Sequence, residues 1–231
     1  MLTTLVADAQ LFFLIFARVV ALVETAPLLS SDATPQIAKI GLGFFAAFAV
    51  FPWVQAAGYP IPEFGLAYAL LVAGEALVGI AMGFFLTMIY SGFQLAGQYY
   101  SLQMGFGASE VFDPLAQIEI PIMGQFLNLV AMLIFLIVGG FQKIFLAGVF
   151  RSFQAMKAVD LVIHRDSIVR MVLSGMARLF EQSLVISFPI LGTLFLVSVA
   201  MGLLAKAAPQ MNLLMLGFPL SIATAFLVLF L

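Results

Sequence analysis

The chain has 231 residues, 64% hydrophobic and 9% charged, with a mean hydropathy of +1.19. Soluble domains run at about 45–50% apolar and about 25% charged, so an ordinary globular protein is excluded and an integral membrane protein, or a subunit buried in an oily assembly, is expected. The formal net charge is −2 with no basic stripe or RNA-binding motif, so nothing points to nucleic acid, and the absence of cysteine removes disulfide frameworks and thiolate metal sites.

The opening MLTTLVADAQ has no basic n-region and carries Asp8, so the first apolar segment is expected to be retained rather than cleaved. That segment is predicted over residues 9–29, with Arg18 and Glu24 inside it. Six residues of helix is about 240° of rotation, so the two charges point to different faces and each needs its own partner. A polar break at residues 30–36 contains Asp32 and Thr34-Pro35, good helix-start chemistry. A second apolar segment follows over residues 37–57 with Pro52 in its interior, closed by the turn Gly58 to Pro62.

The third apolar segment is predicted over residues 64–93 and is longer than a hydrocarbon core of about 30 Å requires at about 1.5 Å per residue. Gly79 and Gly83 form a G-x-x-x-G pair, the spacing that lets two helix backbones approach closely. Glu75 lies one turn earlier on the same face, where a carboxylate must be hydrogen-bonded to a neighbour or protonated; structural pairing is the favoured reading over a proton relay.

GQYYSLQMGFGASEVFDP, residues 97–114, interrupts the oily pattern and is expected to be a shaped loop. Gly105 and Gly107 bracket Phe106, and Asp113-Pro114 closes the stretch as a turn. Because it also holds Met104, Val111 and Phe112, a constriction, a plug or a packing wedge all fit. The fourth apolar segment, residues 121–150, contains Gly139-Gly140 and Lys143 and is one broken helix or two.

Residues 151–178 are the basic region and, by the positive-inside rule, the best candidate for the cytoplasmic side. Met156, Val159, Val162 and Ile163 predict an amphipathic helix there. The fifth segment, residues 179–204, has Pro189 inside; a break at 206–212 precedes the last apolar run, 213–231, which stops without a polar tail and reads as truncated. With 19 Gly and 10 Pro, the chain is expected to be all-α, made of kinked hydrophobic helical hairpins rather than a simple transmembrane bundle. Irregular backbone at membrane depth survives only when buried in protein or lining a wet cavity, so many protein neighbours are expected.

No nucleophile–base set, metal-ligand cluster, phosphate loop or dinucleotide fingerprint is present, and the single histidine, His164, reads as a surface residue. No enzyme activity and no cofactor is expected. A transport, gating or scaffold role remains. One such reading is a secondary transporter or channel for a small solute using Arg18, Glu24 and Glu75, although no internal sequence repeat supports it.

Four stretches together resemble the FliR family of flagellar biosynthetic proteins and its counterpart in virulence type III secretion: PLLSSDATPQIAKIGL (27–42), EALVGIAMGF (75–84), GQYYSLQMGFGASEVFDP (97–114) and GLLAKAAPQMNLLMLGFPLSI (202–222). The Q-M-G-F and D-P elements, the P-Q-M-N signature at Pro209–Asn212 and the G-F-P element at Gly217–Pro219 carry the likeness in order. The chain departs from the family at GGFQK, residues 139–143, and at Lys206, where many members have Arg.

The resemblance implies a single all-helical subunit of a bacterial inner-membrane export gate, at the flagellar basal body or type III secretion base. Its N-terminal part would be P-like and its part from about 175 to 231 Q-like. One copy would join several P and Q subunits, other export-apparatus membrane proteins, membrane lipid and unfolded export substrates. Much of that helical assembly would lie above the membrane plane, and the loop at 104–119 would plug the closed pore. On this basis Met104, Gly105, Phe106, Gly107 and Phe112 are the expected plug residues, Gly79 and Gly83 the helix-packing face, and Arg18 and Glu75 the buried charges. Apolar rings oppose wetting of a narrow constriction and methionine fills irregular gaps, which suits a plug.

Overall fold

Hydropathy this high leaves little besides helices, because every backbone group in an oily setting must be bonded within its own segment. The computed structural model describes residues 2–27, 29–31, 34–62, 65–106, 122–161, 165–210 and 212–231. Among them there is no strand. The helices are α1 (Leu2–Thr25), α2 (Gln36–Ala57), α3 (Gly65–Met104), α4 (Ile122–Ile137), α5 (Gly140–Ala155), α6 (Arg165–Ala207) and α7 (Leu213–Leu229), with a 3₁₀ turn at Ala158–Asp160. The chain is all-α, as the composition requires.

Several boundaries differ from the sequence-based expectation. α1 covers Leu2–Thr25 rather than residues 9–29. α3 has 40 residues and continues through Gly97–Met104, which was expected to be loop. Glycine inside a helix costs about 1 kcal/mol against alanine, and here close packing offsets it. A Cβ on Gly97 would stand 2.5 Å from the Gly124 Cα and N of α4. The helix ends one turn later, where Gly105 takes φ +92°. The Gly105 N–H donates to the Leu102 carbonyl at 3.1 Å and the Phe106 N–H to the Ser101 carbonyl at 3.2 Å, the paired bonds of a Schellman cap.

The helical periodicity expected from Met156 and Val159 is not realised as an α-helix. Met156 is extended and Val159 lies in the 3₁₀ turn, so the segment is a connector; Val162, Ile163 and His164 lie outside the described residues. The basic stretch from Arg165 and the fifth apolar segment instead form one 43-residue helix, α6, with Pro189 inside it. α4 and α5 meet at a 72° bend, where Gly139 adopts a left-handed conformation, and Lys143–Gly148 is π-helical. Among the described residues, four helices (α1, α2, α3 and α6) are long and apolar enough to cross a membrane, and the bent α4–α5 pair makes a fifth if counted as one span.

The described chain divides into two compact units, Met1–Met88 with Met132–Gly175, and Ile89–Ala131 with Met176–Leu231. In the first, Leu11, Ile15, Val19, Leu22 and Val23 form one stripe of α1 against Ala46, Ala47, Val50 and Val54 of α2 and Phe145, Val149 and Phe153 of α5. In the second, Ala96, Tyr100 and Met104 of α3, each one turn apart, pack with Met123 and Leu127 of α4, Ile190 and Leu194 of α6 and Ala225 of α7.

Candidate functional site

The first unit buries a polar hub. Arg18, from the middle of α1, and Glu75, from α3, are both fully buried. The Arg18 Nε and Nη2 atoms each stand 2.5 Å from Glu75 Oε2. Nη1 donates to Ser152 Oγ at 2.8 Å and Nη2 to the Met156 carbonyl at 3.0 Å. The guanidinium carbon lies 3.7 Å from the centre of the Phe153 ring, the stacked placement a planar cation favours. Glu75 Oε1 accepts from the Tyr59 hydroxyl and, at 3.0 Å, from the Ala158 N–H. Burial, followed by that hydrogen bond to Glu75, pushes the Tyr59 hydroxyl well above its ordinary range, so Tyr59 stays a donor.

This hub ties α1, α3, the turn after α2 and the connector after α5 to one carboxylate and one guanidinium. A buried charge is tolerated when it is paired and its remaining sites are bonded, and none of these side-chain atoms is left buried without a partner. The connector belongs to the same design: Met156, extended, turns its carbonyl to Arg18, and Ala158, at the start of the 3₁₀ turn, its N–H to Glu75.

Gly79 and Gly83 lie on the face of α3 that α1 crosses. A Cβ on Gly79 would collide with the Arg18 carbonyl oxygen, and one on Gly83 with the Thr25 hydroxyl. One turn on, the Thr87 hydroxyl donates to the Thr25 carbonyl at 3.0 Å. The close approach is therefore intramolecular, and it carries Arg18 into reach of Glu75. Glu24, on another face of α1, meets Lys39 of α2 at 3.3 Å.

The second unit holds the end of α3. Met104 is 1% exposed and sits in the core cluster, and Phe106 packs against that cluster. Gly105, between them, lies against Phe218 of α7, whose ring occupies the place a Cβ would take. Gly107 and Phe112 lie outside the described residues. The structure thus brings Arg18, Glu75, Gly79 and Gly83 together in one unit and places Met104, Gly105 and Phe106 in the other. Sequence reasoning missed Tyr59, Ser152, Phe153, Ala158 and Phe218; Phe218 stood within the G-F-P element, whereas the others carried no local signal.

Chemically the hub acts as a lock, since its charged and hydrogen-bonding groups are engaged with one another. No group of three or more His, Asp or Glu side chains that could hold a metal occurs among the described residues.

The profile of the family described as "Bacterial export proteins, family 1" matches residues 9–231. The chain belongs to this family. Among relatives of this export-family chain, the flagellar biosynthetic protein FliR of Bacillus subtilis (strain 168) is 33% identical over 221 residues, covering 94% of this chain and 84% of the relative. The protein of the same name from Escherichia coli (strain K12) is 28% identical, covering 92% and 80%. That of Borreliella burgdorferi is 34% identical over 173 residues, covering 74% and 64%.

Proposed function

We propose that this chain is a subunit of the flagellar export apparatus in the bacterial inner membrane, and that with P and Q subunits it forms the pore through which unfolded proteins leave. The observation that carries this reading is the match to an export-protein family over residues 9–231. Two physical features support it. α3 and α6, at 40 and 43 residues, are each about 60 Å long at about 1.5 Å per residue, twice a hydrocarbon core of about 30 Å. Large apolar side chains are exposed along most of α6, from Val169 to Leu204. Lipid covers only part of such a length, and neighbouring subunits are the natural cover for the rest. The P-like part joined to a Q-like part from about residue 175 belongs to the same proposal.

The plug is the finer part of the reading. Met104 anchors the end of α3, Gly105 turns the chain, and Phe106 is the first bulky residue beyond it. The competing transporter reading is weakened because Arg18 and Glu75 are engaged with each other and Glu24 with Lys39.

Co-expression with P and Q partners, followed by native mass spectrometry of the detergent-purified complex, tests the proposal. A discrete hetero-oligomer with one copy of this chain is expected. A monomer or homo-oligomer beside stable P and Q would overturn it.

A further inference from the structure

Residues 120–156 contain no acidic side chain and two cations, Lys143 and Arg151. Both cations are exposed on α5, while Phe145, Val149 and Phe153 of the same helix face the core of the first unit. Arg18 and Lys39 are each paired with a carboxylate; Lys143 and Arg151 have no ion-pair or hydrogen-bond partner among the described residues. Eight residues of regular helix would set the two about 80° apart. The π-helical turn Lys143–Gly148 between them holds more residues per turn and brings them closer to one line. Their separation along the axis is about 12 Å, at about 1.5 Å per residue. Directly before this helix, at the 72° bend, the chain presents a bare apolar corner. Leu136, Ile137 and Val138 are all exposed there, Ile137 to 83%. Corner and cations belong to the same compact unit.

Two free cations call for an anion, and the corner decides its kind. An acidic protein segment would satisfy the charges and leave the aliphatic corner without a match. A phospholipid carries an anionic phosphate and apolar chains in one molecule. Long basic side chains suit this boundary, because their stems lie along apolar surface while the charge reaches the headgroups. We propose that the exposed face of α5 is a binding surface for anionic phospholipid, with Lys143 and Arg151 on the headgroup phosphates and Leu136, Ile137 and Val138 against the acyl chains. It rests on the inner-membrane location in the reading above and not on the pore.

The test titrates the delipidated, detergent-purified complete chain, in its complex with P and Q partners, with phosphatidylglycerol or phosphatidylcholine. Native mass spectrometry reads the lipid retained. Phosphatidylglycerol should be held more tightly than phosphatidylcholine. Lys143→Gln should weaken phosphatidylglycerol about fivefold, the effect of one cation near an anionic lipid surface, and the double change with Arg151→Gln about twentyfold. Lys143→Arg should bind as the original chain does. Lys206→Gln, a cation on another helix, should leave this binding unchanged. Inorganic phosphate should not compete at lipid concentrations, since it offers nothing to the corner.

Equal losses from Lys143→Gln and Lys206→Gln would reduce the effect to overall charge and overturn the proposal. So would equal retention of the two lipids by the original chain, which would leave only apolar contact. Displacement of the lipid by inorganic phosphate would make the site a plain anion site and overturn it too. A fall in complex yield from Lys143→Gln, with lipid retention unchanged, would turn this face into a subunit interface instead. Where P and Q do not co-purify with the original chain, the export reading fails by itself, and the same titration on the chain alone still decides the lipid surface.

Discussion

The two compact units hold themselves together by different physics. The first buries a full ion pair and surrounds it with directional partners: Tyr59, Ser152, Ala158 and the Met156 carbonyl all aim at Arg18 or Glu75. In the second, no ion pair occurs among the described residues, and its buried hydroxyls at Ser183 and Ser187 donate only to carbonyls of their own helix. Contact there comes from bare backbone against backbone at Gly97 and Gly124 and from backbone against ring at Gly105 and Phe218. The contrast matters because lipid tails are as apolar as leucine, so burying apolar surface does little to choose one helix partner over another inside a membrane. In the first unit directional bonds add to the close glycine fit of α1 on α3, whereas in the second close fit acts without an ion pair among the described residues.

The largest effect that can break this comparison lies in the hub. Arg18→Ala or Glu75→Ala should each cost about 3–5 kcal/mol, because either leaves an unpaired charge in the interior. Arg18→Met combined with Glu75→Leu should cost much less than the two alanine changes summed. Unfolding of the purified chain in detergent checks both, and additive losses would show that the pair is not acting as a unit.

Next come the glycine contacts. Gly97→Leu should cost about 3 kcal/mol in the second unit by overpacking against Gly124. Gly79→Leu should act on the first unit by pushing α1 off α3, with the complex yield falling in parallel. A Gly79→Leu chain that unfolds normally yet no longer assembles would move that close contact from the chain's interior to a partner.

Smaller still is a matched pair of tyrosines. Tyr59→Phe removes a donor from Glu75 and should destabilise by about 1.5 kcal/mol. Tyr100→Phe removes a buried hydroxyl that has no partner among the described residues and should be neutral or stabilising, by up to about 1 kcal/mol. The same substitution with opposite signs is the sharpest form of the comparison, and thermal melting of the two variants side by side decides it. Smallest is Glu24→Gln, at about 1 kcal/mol, because Glu24 is 36% exposed and the amide oxygen that replaces its carboxylate can still accept from the buried Lys39 ammonium.

Much of this architecture could be read along the chain, and the misses have physical causes. The G-x-x-x-G pair at Gly79 and Gly83 stood out because helical spacing is a local property. The charges at Arg18 and Glu75 stood out because ionised side chains are expensive in an oily setting. Residues 97–104 were misread as loop because glycine and polar residues lower helix propensity, and only the approach of Gly124 shows why a glycine is kept in that helix. Met156 and Val159 repeated at helical spacing, yet the connector is extended at Met156, whose carbonyl meets Arg18, and turns as 3₁₀ from Ala158, whose N–H meets Glu75.

By itself the sequence determined the class of the protein: helical, lipid-compatible, poor in reactive groups, and carrying the ordered motifs of an export family. Those are sums and spacings along the chain, and no folding is needed to evaluate them. Only the tertiary structure decided which groups meet. Arg18 and Glu75 are 57 residues apart and Arg18 and Ser152 are 134 apart. A helical repeat says which face a side chain occupies but not which helix stands opposite, because that choice is made by the packing of distant backbones.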